Sequence, residues 1–177
     1  PLGRLTTYRV GGSAALFVRP ADLGELSRVA EAVSAVAVPV LVVGRGSNLL
    51  VADTGFEGLA IQLGPGFEEV GVAGTRPTAG GAASRPTGAR RSVAGGLAGV
   101  EWAGGVPGGI GGAVRMNAGG HGSEMSGVVE AVTLVDLTDG DRRTVPVGGL
   151  DLGYRRSSVA DTQVVASVTL RLDGGAR

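Results

Sequence analysis

Pro39-Val40-Leu41-Val42-Val43-Gly44-Arg45-Gly46-Ser47-Asn48-Leu49-Leu50-Val51 places apolar runs on both sides of a short polar loop. The first run is β-branched and bounded by proline and glycine, which predicts a buried strand. N–H groups leaving the end of such a strand point the same way, and glycine permits the positive φ angles that curl them into an anion-binding nest. Leu49-Leu50-Val51 predicts a further strand rather than a helix. That excludes the dinucleotide fingerprint of a Rossmann domain, which opens a helix here and carries a third glycine. By itself the loop is equally compatible with a plain turn.

Working outward, Leu16-Phe17-Val18-Arg19-Pro20 reads as a strand closed by proline. Asp22 then caps a helix running to about Ala35, with Leu23, Leu26, Val29, Ala30 and Val33 on one face. Strand, helix and strand in this order predict a right-handed βαβ crossover. Gly58–Leu63 reads as another strand, and the Pro65-Gly66 turn marks the expected boundary between residues 1–64 and 65–177. Between Gly71 and Gly96 the period is interrupted by Pro77, Pro86 and several glycines, with Ala89, Val93 and Leu97 expected on one helical face. Further on, Val128–Asp136 and Arg142–Val147 flank Thr138-Asp139-Gly140, a hairpin signal. A last strand, Val164–Leu172, is expected to set Val164, Ala166, Val168, Leu170 and Leu172 on one side.

Composition narrows the chemistry. Of 177 residues 34 are Gly, about 19%, against an average near 7%. No collagen-like triplet period accompanies them, no repeat of fixed length appears, and 43% apolar residues are too many for a disordered chain. Sixteen basic residues, all Arg, balance 16 acidic ones, which gives no electrostatic case for nucleic acid or a membrane surface. Without Lys there is no Schiff-base amine and no phosphate-loop lysine. Without Cys, thiolate catalysis, disulfides and iron–sulfur clusters are excluded, and a single His excludes a multi-histidine metal centre, so no metal is expected. Neither a signal pattern at Pro1-Leu2-Gly3-Arg4 nor a membrane-length apolar run is seen, and the expected location is the cytoplasm.

Glu101-Trp102-Ala103-Gly104-Gly105-Val106-Pro107-Gly108-Gly109-Ile110-Gly111-Gly112-Ala113 is a second glycine cluster. Each glycine in a regular element costs roughly 0.5–1 kcal/mol, so such a run needs unusual dihedrals or a closely packed ligand. Arg115-Met116-Asn117-Ala118-Gly119-Gly120-His121-Gly122 follows with an amide and more bare backbone. Several such loops in a short chain suggest a large, flat, phosphate-bearing cofactor.

Four motifs in order, Thr6-Thr7-Tyr8-Arg9-Val10-Gly11-Gly12, Gly44–Leu50, Gly104–Ala113 with Asn117-Ala118-Gly119, and Tyr154-Arg155-Arg156-Ser157, resemble the UDP-N-acetylenolpyruvoylglucosamine reductase (MurB) family. The resemblance covers nearly the whole chain. It implies an α+β, two-subdomain FAD-binding fold of the vanillyl-alcohol-oxidase (PCMH) type, a small βαβ subdomain followed by one with an antiparallel sheet. The implied activity is FAD-dependent and NADPH-dependent reduction of the enolpyruvyl ether of a UDP-sugar in peptidoglycan synthesis, by a monomer.

The resemblance also implies site residues. Gly44, Arg45, Gly46, Ser47, Asn48 and Leu49 wrap the FAD pyrophosphate; Gly104, Val106, Pro107, Gly108, Ile110, Gly111 and Gly112 run alongside the cofactor. Asn117, Ala118, Gly119 and His121 line the flavin pocket, with Tyr8 and Arg9 contributing from the first motif. Tyr154 and Arg155 meet substrate, and Arg155 is the catalytic arginine. Hydride transfer from flavin N5 to the enolpyruvyl double bond leaves an enolate of the carboxylate, and a guanidinium is a rigid, permanently charged partner for it.

Departures from the family are also visible. Its serine proton donor and a glutamate near the reaction centre lie in a third, substrate-binding domain that has no match before Arg177, so a truncated homologue that binds flavin without turnover is expected. Val159 stands near a position that is often Phe, and Thr75–Gly88 is unusually rich in Gly and Pro. The same loops leave open another flavin oxidase or dehydrogenase of this fold, or a non-catalytic nucleotide-binding module. Of the remaining residues, Trp102 is expected in the core and His121 in a loop, with no Gly-x-Ser-x-Gly elbow to make it part of a triad. Arg115 is balanced between a phosphate contact and a surface pair.

Overall fold

Asp22 starts the first helix as its sequence predicts. Its carboxylate accepts from Glu25 N at 2.9 Å, satisfying an N–H the helix cannot, while Glu25 Oε2 accepts from Ala21 N at 2.7 Å, one residue before the cap. The computed structural model describes residues 1–175; positions 176 and 177 of the expected second unit lie outside the described residues. Helix α1 (Leu23–Val36) ends on Ala37 in the left-handed region, whose N–H returns to Val33 O at 2.8 Å.

A three-stranded parallel sheet carries the first half: β1 (Ala14–Val18), β2 (Val40–Val42) and β3 (Phe56–Ile61), in the order β1-β3-β2. The crossover from β1 through α1 to β2 therefore skips one position, which β3 fills. The expected strand at Leu49-Leu50-Val51 does not form. The segment is irregular: Val51 is buried with Leu2, Val43 and Ala60, while Leu50 is 69% exposed. The run is apolar because Val51 sits under the N-terminal segment, and that burial needs no ladder.

The second sheet is antiparallel, in the order β10-β9-β11-β5-β4, built from β4 (Val70–Gly71), β5 (Thr78–Gly80), β9 (Val129–Asp136), β10 (Arg142–Pro146) and β11 (Gln163–Leu170). The β9–β10 hairpin turns at Gly140, φ 75°, as the Asp-Gly pair predicts. Between β5 and β9 lie helix α2 (Arg85–Ala94), β6 (Leu97–Ala98), helix α3 (Ile110–Arg115) and the small hairpin of β7 (Gly119–Gly120) and β8 (Ser123–Glu124); β12 (Asp173–Gly174) pairs with β6.

Two expectations are corrected here. The α2 face toward the core is Arg85, Gly88, Ala89 and Ser92, whereas Val93 is 47% exposed and Leu97 lies beyond the helix in β6. Strand β11 does not alternate to its end, because its register against β9 slips between Val165 and Ser167. Ala166 is the extra residue of a bulge, which changes the face presented by the rest of the strand. Val164 and Ala166 pack with Leu26, Ala30, Val33, Ile61 and Phe67, while Val165, Val168 and Leu170 join Trp102, Ile110, Val114 and Val132. One strand thus serves both cores, and α1 is buried against both sheets. Full burial of Leu26 and Val33 contributes roughly 1.5–3 kcal/mol apiece.

Candidate functional site

Strand β2 ends at Val42, and Val43 N still donates to Ile61 O at 2.8 Å before the chain leaves the sheet. From Gly44 to Asn48 no backbone N–H has an acceptor among the described residues. The loop is nevertheless fixed in place. Gly46 adopts φ +68°, a Cβ there would lie 1.9 Å from Leu5 O, and Thr7 N donates to Gly46 O at 3.0 Å. The N-terminal segment thereby braces the loop while its N–H groups stay free, the arrangement an anion nest requires.

The second glycine loop faces the first, and the start of α2 holds it there. Arg85 N donates to Gly108 O at 3.1 Å, and the Arg85 guanidinium donates to Pro107 O. Ser84 bridges Gly109, and Ile110 N and Gly111 N are taken by Ala83 O and Gly81 O, each at 2.9 Å. Gly108 has φ +122°, and a Cβ on it would meet Ser47 Oγ at 2.9 Å and Arg85 Nη2 at 3.0 Å. Only glycine lets the two loops approach so closely. Burial holds the Arg85 guanidinium below its ordinary pKa.

Asn117 joins the third and fourth motifs. It is 3% exposed with φ +40°; its Oδ1 accepts from Ser126 N at 2.9 Å and its Nδ2 donates to Gly153 O at 3.2 Å. The amide that looked available to a ligand is thus engaged in fixing the β7–β8 hairpin against the Gly153–Arg156 turn. That turn presents Tyr154, 89% exposed, and Arg155, whose Nη2 donates to Asn48 Oδ1 at 3.3 Å. On the hairpin, the Ser126 hydroxyl and the Asn117 amide hold the Glu124 carboxyl below its ordinary pKa.

These walls enclose two adjoining cavities of about 760 and 800 Å³. Residues Val42, Gly44, Arg45, Asn48, Gly109, Gly112, Arg115 and Met116 line both, so the two form one long cleft of a size suited to an extended organic cofactor. Among the expected residues, Gly44–Leu49, Val106–Gly108, Gly111, Gly112, Asn117–Gly119, Tyr154 and Arg155 line it. Tyr8, Arg9, Gly104, Ile110 and His121 do not. Ile110 points into the core at 4% exposure, and Gly104 lies in a short 3₁₀ turn, Glu101–Gly105. His121 is exposed at φ +54°, between Gly120 and Gly122, which do line the cleft. Trp102 is in the core, as expected. Arg115 forms the surface pair considered for it, with Asp161 at 2.8 Å, and also lines the cleft. Sequence reading missed Arg85, because its place at the wall depends on a carbonyl 22 residues away.

A parallel and an antiparallel sheet, the second with a bulged strand that feeds both cores, and free N–H groups at one strand end facing a glycine-lined cleft, define an α+β dinucleotide-cofactor-binding fold. The chain belongs to the FAD binding domain family, whose model matches residues 14–145. It is similar to the UDP-N-acetylenolpyruvoylglucosamine reductase of Paramagnetospirillum magneticum, 43% identical over 171 residues, which are 97% of this chain and 55% of that protein. The crystal structure of UDP-N-acetylenolpyruvylglucosamine reductase (MurB) from Thermus caldophilus superposes with TM-score 0.83 at 32% identity, covering 99% of this chain and 61% of that one. The 6-hydroxy-D-nicotine oxidase of Arthrobacter nicotinovorans shares the fold alone, at TM-score 0.67 and 17% identity over 92% of this chain and 37% of that one. The chain spans about half the length of the curated relatives it matches. Among the described residues, no helix is long and apolar enough to cross a membrane.

Proposed function

We propose that the chain binds FAD along the cleft and forms the cofactor-binding part of a UDP-N-acetylenolpyruvoylglucosamine reductase. The observation that carries this is the row of unpaired N–H groups from Gly44 to Asn48, braced from behind by Leu5–Thr7 and facing the Val106–Gly109 loop. The cleft fits the cofactor on two counts: its donors lack internal acceptors, and one wall carries the buried, incompletely paired Arg85. Gly44–Asn48 would hold the pyrophosphate, and Val106–Gly112 with Asn117–Gly119 would flank the rest of the cofactor.

Bound FAD supplies hydride transfer, with NADPH as the electron source. Tyr154 and Arg155 serve the substrate. Arg155 offers a forked, permanently charged group to the enolpyruvyl carboxylate, binding it in the ground state and stabilising the charge that develops as the double bond is reduced. Asn48 orients that guanidinium from the cofactor loop. The division into residues 1–64 and 65–177, a monomeric state, a cytoplasmic location and the absence of a nucleic-acid partner belong to the same proposal. Purified protein incubated with FAD and freed of unbound ligand should be yellow with protein-bound flavin absorbance. Colourless protein would refute the reading, and a bound nucleotide without flavin would replace it with a non-catalytic module.

A further inference from the structure

Arg85 is only 7% exposed, yet it pairs with no carboxylate among the described residues. A guanidinium has five N–H donors. Pro107 O takes Nη2, while Nε and Nη1 are buried without a partner. A desolvated cation left in this condition is unfavourable unless an anion comes to it. The guanidinium lies on the cleft wall, where it and the Ser47 hydroxyl flank the same point beside Gly108. Arg45, Arg115 and Arg155 line the same part of the cleft, where the carboxylate of Glu124 is engaged by the Ser126 hydroxyl at 2.6 Å; Glu68 and Asp161, the latter paired with Arg115, line the adjoining part.

Resting on the FAD reading, we infer that Arg85 is an anion-binding residue, supplying the charge that holds a nucleoside diphosphate's pyrophosphate against the Gly44–Asn48 loop. The two parts are complementary. Backbone N–H groups give direction with only partial charge, and Arg85 gives a full charge from the opposite wall without a flexible exposed side chain to immobilise. FAD and NADPH both carry a pyrophosphate, and the position of Arg85 beside Ser47 assigns it to FAD.

The test is equilibrium titration of wild type, Arg85→Met and Arg85→Lys with FAD, riboflavin and NADPH in turn, at several salt concentrations, with thermal midpoints measured alongside. Arg85→Met should weaken FAD by about tenfold or more and flatten the salt dependence of its Kd, Arg85→Lys should weaken it less, and riboflavin, which has no phosphate, should bind all three alike. Equal loss of FAD and riboflavin would show a strut for the Pro107 loop and overturn the inference. Unchanged FAD binding in Arg85→Met, or weakening confined to NADPH, would overturn it while leaving FAD binding intact. If Arg85→Met does not fold, Arg85→Lys and the wild-type salt slope decide: a wild-type FAD affinity insensitive to salt contradicts the inference. Wild type that takes up no FAD overturns the functional reading and this inference together.

Discussion

Arg155 Nη2 donates to Asn48 Oδ1 at 3.3 Å, joining the turn after α3 and the hairpin region to the loop at the end of β2 across 107 residues of sequence. The residue expected to meet substrate is thereby positioned by the loop expected to hold cofactor. Arg155 itself sits at φ +55°, a conformation that a non-glycine residue adopts at some cost, and lines the cleft.

Removing the guanidinium should therefore separate chemistry from cofactor binding. In a reductase of the relatives' full length carrying this segment, Arg155→Ala should leave the FAD Kd within about twofold and lower kcat by about 10²–10³, the scale for losing one preorganised charge-stabilising donor. Asn48→Ala should lower kcat less, by freeing Arg155 rather than removing it. Steady-state kinetics and flavin titration of both variants check this.

Gly46→Ala tests the brace. The new methyl would collide with Leu5 O and Thr6 Cα in a left-handed backbone, so the loop must move. Expected are a loss of roughly 1–3 kcal/mol in stability and FAD binding weakened beyond detection at concentrations that saturate wild type. Denaturant unfolding and flavin titration read the two effects.

Asn117→Ala removes two hydrogen bonds at a buried site and strands Ser126 N and Gly153 O. The expected destabilisation is about 2–4 kcal/mol, on the scale of buried groups left unsatisfied. Hydrogen exchange should show the β7–β8 hairpin opening first, which distinguishes this role from a ligand contact.

Asp136 gives a pH dependence of known sign. Burial pushes its carboxyl up, but the Thr138 hydroxyl and N–H, the Gln163 amide and nearby Arg143 together pull it below the ordinary aspartate value. A depressed folded-state pKa means this contribution is complete above the unfolded value, about pH 4, and is lost as pH falls through the lower folded value. Asp136→Asn should cost about 1 kcal/mol at neutral pH and flatten the acid limb of stability, as measured by urea unfolding between neutral pH and about pH 3.

Much of this fold was legible because local rules and tertiary structure agree. The Asp22 cap and the Asp-Gly turn of the β9–β10 hairpin each have a short-range physical reason, and the glycines of the two facing loops stand out in the sequence although the close approaches that require them, to Leu5 O and to Ser47, are long-range. The failures share the opposite cause. Leu49–Val51 reads as a strand by composition, but its burial comes from Leu2 above it, and the bulge at Ala166 is set by pairing with β9. Nothing in the local sequence marks Arg85, whose place depends on Pro107 O across the cleft wall, while Asn117 reads as a ligand donor until Ser126 and Gly153 use its amide.

Everything proposed for this chain rests on the free N–H groups of Gly44–Asn48 binding a flavin dinucleotide. Calorimetric titration of FAD into the purified chain tests it most directly, with Gly46→Ala as the matched control. Saturable binding of one FAD per chain that the variant abolishes is predicted. No heat and no flavin uptake by folded wild-type protein, or equal binding by the variant, would contradict it.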